Sequence, residues 1–423
     1  MRFQRRPRAI LEVIEAWSDG PPPRLPNGPP DPVELDGDVE QARRVLREAT
    51  HPEPVKRAIA IVGRAGDERD AEALETLARH DEFSLVAGTA LASVLGDPGT
   101  AWWRVCCVTT GWGKVEAVAR LTAQRDLHPD ARGWLLRHGC NDVVMPEYVA
   151  HAVATAGRLE DALDGLVDDA LLDGACVILS ALVNGGPAED IDDYEPGPRV
   201  ATTVLDLLGE RAPTVVRMRA VAHLLTWAED YEQHVAIAER CGRLLAREES
   251  RTFIATRLGR RDEVLRVWGV AEVMGLDAWE AGWRHLQTTP HDPRLYHHLG
   301  RSRRPDRRAR LIAFAERALP LEELASGPEE RPFPTGVHRN AALTLDSLVQ
   351  RMRTGQWSEA LVATALQSPV ISTRNGALAA LAAASPEDWG SPVLAALRRL
   401  AADEPAGDLR TQAEAQLARL AGS

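Results

Sequence analysis

Lysine is almost missing from this chain. Only Lys56 and Lys114 occur among 423 residues, and arginine supplies the rest of the positive charge. That bias reads as high-GC coding before it reads as function. The net charge of −12 argues against a molecule that binds nucleic acid over its whole surface. No run of 18 apolar residues occurs, which excludes a membrane-spanning helix. The five cysteines, Cys106, Cys107, Cys140, Cys176 and Cys241, are odd in number and lack CxxC or CxH spacing. They read as reduced, buried thiols, not as a disulfide framework or a zinc site. The first eight residues are basic, but Glu12 and Glu15 interrupt the apolar segment that follows. No secretory signal is therefore expected, and the cytoplasm is the default location.

Catalytic motifs are also missing. There is no HExxH and no GxSxG elbow. Gly111-Trp112-Gly113-Lys114 lacks the third glycine of GxGxxG, Walker spacing and a preceding strand. It reads as a turn between helices, with Trp112 packing on the next hairpin and Lys114 in the first turn of the following helix. The competing reading is a contact surface, suggested by a lone lysine beside tryptophan. Glu48 and His51 form one Glu-x-x-His, but it abuts Pro52 and Pro54, and a di-iron bundle needs two such motifs. The neighbours His297 and His298 point in different directions on a helix and cannot chelate together. No catalytic residue, metal or cofactor is expected.

Repetition is what the chain does have. The run Val55 to Asp67 is echoed by Leu85 to Asp97, an offset of 30 residues. Ile371 to Ser385 is echoed by Leu409 to Ser423 at an offset of 38, with identities that include Thr373/Thr411 and Ala377/Ala415. Repeats of this size, rich in Ala and Leu, predict an all-α chain: an α-solenoid of HEAT-like helical hairpins, about nine or ten at ~40 residues each. Apolar spacing predicts helices near 38–49, 53–65, 68–79 and 83–95, then 113–123, 129–138 and 146–156. About four more are expected over 199–287. The predicted organisation is an N-terminal helix at 1–18, a proline-rich linker at 19–36, a solenoid over 37–326, a proline-rich loop at 327–337 and further HEAT-like repeats over 338–423.

Charge is segregated. Residues 159–195 hold eleven carboxylates and no Lys or Arg. They read as a solvated face plus an acidic loop, or as a docking surface for a basic partner. A divalent-cation loop at Glu189 to Glu195 would lack the glycine and distal glutamate of an EF-hand. Residues 284–317 hold nine arginines against three carboxylates. Arg301, Arg303, Arg304, Arg307, Arg308 and Arg310 form a candidate phosphate or nucleic-acid contact, or pair internally with the acidic face. Tryptophan, with eleven copies, outnumbers both Tyr and Phe. Trp279 and Trp283 share a helix face and read as packing between repeats. Trp112, Lys114 and Trp134 are candidate binding residues.

The run Thr110 to Leu121, then Trp134 to Cys140, Glu147-Tyr148, Asn184 to Pro187 and Tyr194-Glu195 together resemble a family of bacterial HEAT-repeat-like proteins. Some members of that family are called limonene hydroxylase. The resemblance covers about residues 50–230 and implies a HEAT-like fold. For the members so called it implies an oxygenase, which requires an oxygen-activating cofactor. Repeat architecture without a catalytic constellation leads instead to a non-catalytic cytoplasmic scaffold that holds a protein partner on a concave surface. The alternatives are a nucleic-acid-binding solenoid, resembling the HEAT-like alkylpurine DNA glycosylases and using the 284–317 arginines, and the oxygenase. No membrane partner is expected.

Overall fold

The computed structural model describes residues 8–18, 20–27, 35–186, 188–352 and 357–421. Part of the expected linker, residues 28–34, and the Ser423 end of the second echo lie outside them. The described residues form 25 α-helices and no strand, so the chain is all-α. Their only extended pairings are single bridges, Gly111 with Val143 and Arg331 with Val370. No described helix is long and apolar enough to cross a membrane.

Local chemistry sets the helix boundaries. Asp38 opens the helix Val39–Glu48 by accepting from the Glu40 and Gln41 amides. Asp97 precedes Pro98 and accepts from the Thr100 amide, while Gly96, in the left-handed region at φ 66°, ends the helix before it. Each device satisfies groups that a helix end leaves open. The four earliest repeat helices appear at Val39–Glu48, Pro52–Ala65, Ala71–Ala78 and Ser84–Leu95, close to their expected spans. Between 197 and 288 there are six helices where about four were expected, because Asp230 to His234 and Arg247 break long apolar stretches into shorter rods.

The echoed segments touch each other. Val55 to Asp67 and Leu85 to Asp97 supply the helices Pro52–Ala65 and Ser84–Leu95, which pack together. Ile371–Ala383 and Gly407–Ala421, the second echo, also pack together. Most helices meet the next one or the next but one along the chain. This is the nearest-neighbour pattern by which a repeat buries an apolar face it cannot cover alone.

Small residues allow close approach. A Cβ on Gly88 would stand 2.3 Å from the Trp102 ring, and one on Gly282 would stand 2.4 Å from the Trp268 ring. In each case a helical glycine leaves room for an indole from a neighbouring helix.

The chain divides into two compact units, Met1–Arg251 and Thr252–Ser423. This boundary falls inside the stretch 37–326 that the sequence presents as continuous. Buried arginines tie elements together within each unit. Arg43 donates to both Asp70 oxygens at 2.8 and 2.7 Å. Arg374 and Glu404, both wholly buried, pair at 2.6 and 2.7 Å, and Arg374 also donates to the Glu329 and Ser368 carbonyls.

Candidate functional site

The first unit carries the residues that sequence reasoning grouped around Trp112. Gly111 begins the helix Gly111–Thr122 in the left-handed region, φ 64°. Its amide donates to the Asp142 carbonyl at 2.8 Å, and the Gly113 amide donates to Asp81 Oδ1 at 3.0 Å. The glycine turn is therefore clamped from both sides. Asp142 also lies in the left-handed region, φ 56°. The turn directs Trp112 outward, where it is 50% exposed and meets Tyr148 edge to face at 5.5 Å between ring centres.

Lys114 points the other way. It is 5% exposed, so it is not a surface contact. Its ammonium lies 5.2 Å from the centre of the half-buried Trp134 ring. No described carboxylate forms an ion pair with it. Burial lowers its pKa, opposed by the more distant Asp142. His138 stands 5.8 Å from Trp134 between ring centres, and burial and then Lys114 lower its pKa as well. The nearby Cys140 thiol is pushed up to about 12 by desolvation. Four of the five cysteines are buried as expected, but Cys107 is exposed, at the last turn of the helix Pro98–Val108.

Beside this turn lies an open cavity of about 690 Å³. The segment 140–147 forms one wall, and the helices Asp169–Asn184 and Val215–Glu229 supply Val177, Ser180, Asn184, Val216 and Arg219. Val144, Met145 and Tyr148 are exposed at its rim and continue to Trp112. Sequence reasoning singled out Trp112 but missed Val144 and Met145. They sit in a non-helical stretch where no periodicity marks an apolar residue as exposed.

The acidic stretch separates into two parts. Its helical half is neutralised across neighbouring elements: Asp168 by Arg137 at 2.8 Å, Asp169 and Asp173 by Arg217, and Glu160 by Arg199. The carboxylates of 189–195 have no such ion pair among the described residues. Asp192 instead accepts from the Tyr231 hydroxyl at 3.0 Å. Among the described residues no group of three His, Cys, Asp or Glu is placed to hold a metal ion.

In the second unit the arginine patch is largely occupied. Arg304 pairs with Asp306, Arg307 with Asp277, and Arg310 with Glu280 at 3.1 Å. These partners are local carboxylates and do not come from 159–195. Arg307 and Arg310 also lie over Trp279 and Trp283, two buried indoles stacked 5.4 Å apart with their planes 4° from parallel. The Arg308 Nε is buried without a hydrogen bond. Arg301 and Arg303 are exposed, and no described residue pairs with either. The histidines of the patch serve the fold: His285 and His291 contact the Leu258 and Ala318 carbonyls at 3.2 and 2.8 Å.

The chain matches no protein-family model and no curated protein. What the surface can do chemically follows from its own residues. An exposed tryptophan–tyrosine pair continues into a groove with aliphatic and acidic walls. That composition suits contact with another macromolecule, since aromatic anchors beside apolar pockets concentrate binding energy.

Proposed function

We propose that this chain is a non-catalytic interaction scaffold that binds a protein partner through the Trp112 face of its first unit. The observation that carries this reading is the exposed apolar patch formed by Trp112, Val144, Met145 and Tyr148 beside the cavity. A polypeptide that folds into stacked helices has no thermodynamic need to keep four large apolar side chains in water together. The repeat architecture supports the same reading, because stacked hairpins present long surfaces.

The test is affinity capture from the native host at low salt, with and without nuclease. It compares the wild-type chain with Val144→Asp and Tyr148→Ala. A protein that survives nuclease and is lost from both variants is the expected result. Capture unchanged by both variants would overturn the reading.

A second reading rests on Arg301 and Arg303, two exposed arginines of the patch with no described partner. They could contact phosphates of a nucleic acid. It is the weaker reading, because Arg304, Arg307 and Arg310 already satisfy carboxylates. Co-purifying proteins that disappear with nuclease would favour it.

A further inference from the structure

The cavity beside Trp112 has an acidic wall. Its lining includes Asp142 and Glu147, with Arg219 as the one cation among its described residues. Asn184, at the end of the helix Asp169–Asn184, donates to Glu147 at 3.4 Å. The chain then turns through Gly185 and Gly186, and the Ile191 amide returns to the Leu182 carbonyl at 3.1 Å. A Cβ on Gly186 would stand 3.1 Å from the Glu147 Cβ, and one on Gly185 would stand 3.7 Å from Asp190 Oδ2. This turn sets the acidic loop of 189–195 against the groove wall. Several carboxylates elsewhere in the unit pair with arginine across elements, as Asp70, Asp168, Asp173 and Asp206 do. Asp142, Glu147 and Asp190 form no ion pair among the described residues. The Tyr231 phenol donates to Asp192 at 3.0 Å, and that hydrogen bond raises its pKa.

We infer that the groove receives a basic, apolar segment of a protein partner, in which Lys or Arg alternates with aliphatic side chains. The inference rests on the interaction reading above and adds the chemistry of the occupant. Val144 and Met145 would meet the aliphatic side chains. Asp142, Glu147 and Asp190 would meet the cations, and because none of the three forms an ion pair among the described residues, no existing ion pair must break. Charge matching of this kind sets specificity and speeds encounter. A segment that lays one apolar face into a groove is an established mode of peptide recognition.

The experiment uses the full chain and two synthetic amphipathic peptides of equal length, one of Leu and Lys and one of Leu and Glu. Binding is read by fluorescence anisotropy at low and at physiological salt. The variants are Glu147→Lys/Asp190→Lys and, as a control with the same change in net charge, Glu72→Lys/Asp164→Lys, which lies outside the groove lining. Circular dichroism and melting confirm that both are folded. The expected result is binding of the Leu/Lys peptide alone, weakened about tenfold or more by the groove pair and unchanged by the control pair. Equal weakening by both pairs would reduce the effect to general attraction toward an acidic protein and overturn the inference. So would binding of the Leu/Glu peptide, or no binding of either. If neither peptide binds but Val144→Asp still loses the native partner, the interaction reading stands and only the basic segment falls. If capture is intact in both Val144→Asp and Tyr148→Ala, the interaction reading falls.

Discussion

Each unit sets a cation against tryptophan, and the two do so differently. In the second unit, Arg307 and Arg310 cover the stacked Trp279 and Trp283 while each also holds a carboxylate, Asp277 or Glu280. In the first unit, Lys114 covers Trp134 with no ion pair to any described carboxylate. The difference follows from side-chain chemistry. A guanidinium is planar, so one face can lie on an indole while its edge donates to a carboxylate. An ammonium is a compact, strongly hydrated charge, and burial without a partner disfavours its charged form. The second site is a closed arrangement that stabilises a helix pair. The first leaves a buried amine under strain beneath an exposed aromatic rim. Lys56, the chain's other lysine, underlines the contrast: it pairs with Glu53 at 3.1 Å and with Glu82, which raise its pKa.

Breaking a paired cation should have the largest effect, and Arg374 is the extreme case. Glu404→Leu leaves a wholly buried guanidinium without its carboxylate and should lower stability by about 3–5 kcal/mol in chemical denaturation. The double variant Arg374→Met/Glu404→Leu should recover most of that loss. A double variant as unstable as the single one would mean that packing, not charge, holds the pair. Next comes Arg307→Glu. The sequence alone places Arg307 in a highly charged segment, where reversing Arg303 and Arg307 together would be expected to weaken partner binding with little loss of stability. The structure corrects this: its side chain is 16% exposed, lies on Trp279 and faces Asp277. Reversal should cost about 2 kcal/mol, since it removes a cation–π contact and sets two carboxylates together.

The contrast also separates what the sequence carries from what it hides. Helix positions and repeat offsets were legible because apolar periodicity and Gly-Asp-Pro punctuation act locally. Trp279 and Trp283 were legible as core for the same reason. Charge was legible only as composition. Residues 159–195 and 284–317 look alike as single-sign runs, yet one ends in a loop without ion pairs and the other has several of its arginines paired. The pairs that bury an arginine join residues about one repeat apart, such as Arg307 with Asp277 and, elsewhere in the unit, Arg374 with Glu404, so they depend on how neighbouring hairpins stack. The burial of Lys114 was hidden too. Its position in a first turn was foreseen, but the Asp142 and Asp81 contacts that clamp this turn are separated from it in sequence.

Removing the unpaired cation should act in the opposite direction. Lys114→Met fills similar space without charge and should raise stability by about 1 kcal/mol near neutral pH, after the lost cation–π contact is counted. The sign with pH follows from linkage. The folded-state pKa of Lys114 is lowered from the ordinary 10.5, so near neutral pH the unfolded chain holds this proton more tightly than the folded one. Its unfavourable contribution is therefore full and constant below the lowered folded value, and shrinks as pH rises from there toward 10.5. Melting temperatures of wild type and Lys114→Met should converge as pH is raised. Parallel curves would mean that the amine is solvated in solution and the contrast with the arginine site is false.

The smallest effect is expected at Arg303, which has neither a carboxylate nor an indole to lose. Arg303→Glu should leave stability within about 0.5 kcal/mol, as for other exposed positions without special contacts. Its value lies in what else it leaves unchanged. If the first unit holds the partner, capture by Arg303→Glu should match wild type, and neither chain should be retained on duplex DNA at low salt. If Arg303→Glu abolishes a DNA interaction whose strength falls steeply with salt, a cation without a described partner in the second unit is the functional one. The comparison would then invert: the amine buried under Trp134 would belong to the fold, and the arginines left outside the Trp279–Trp283 stack would belong to the ligand.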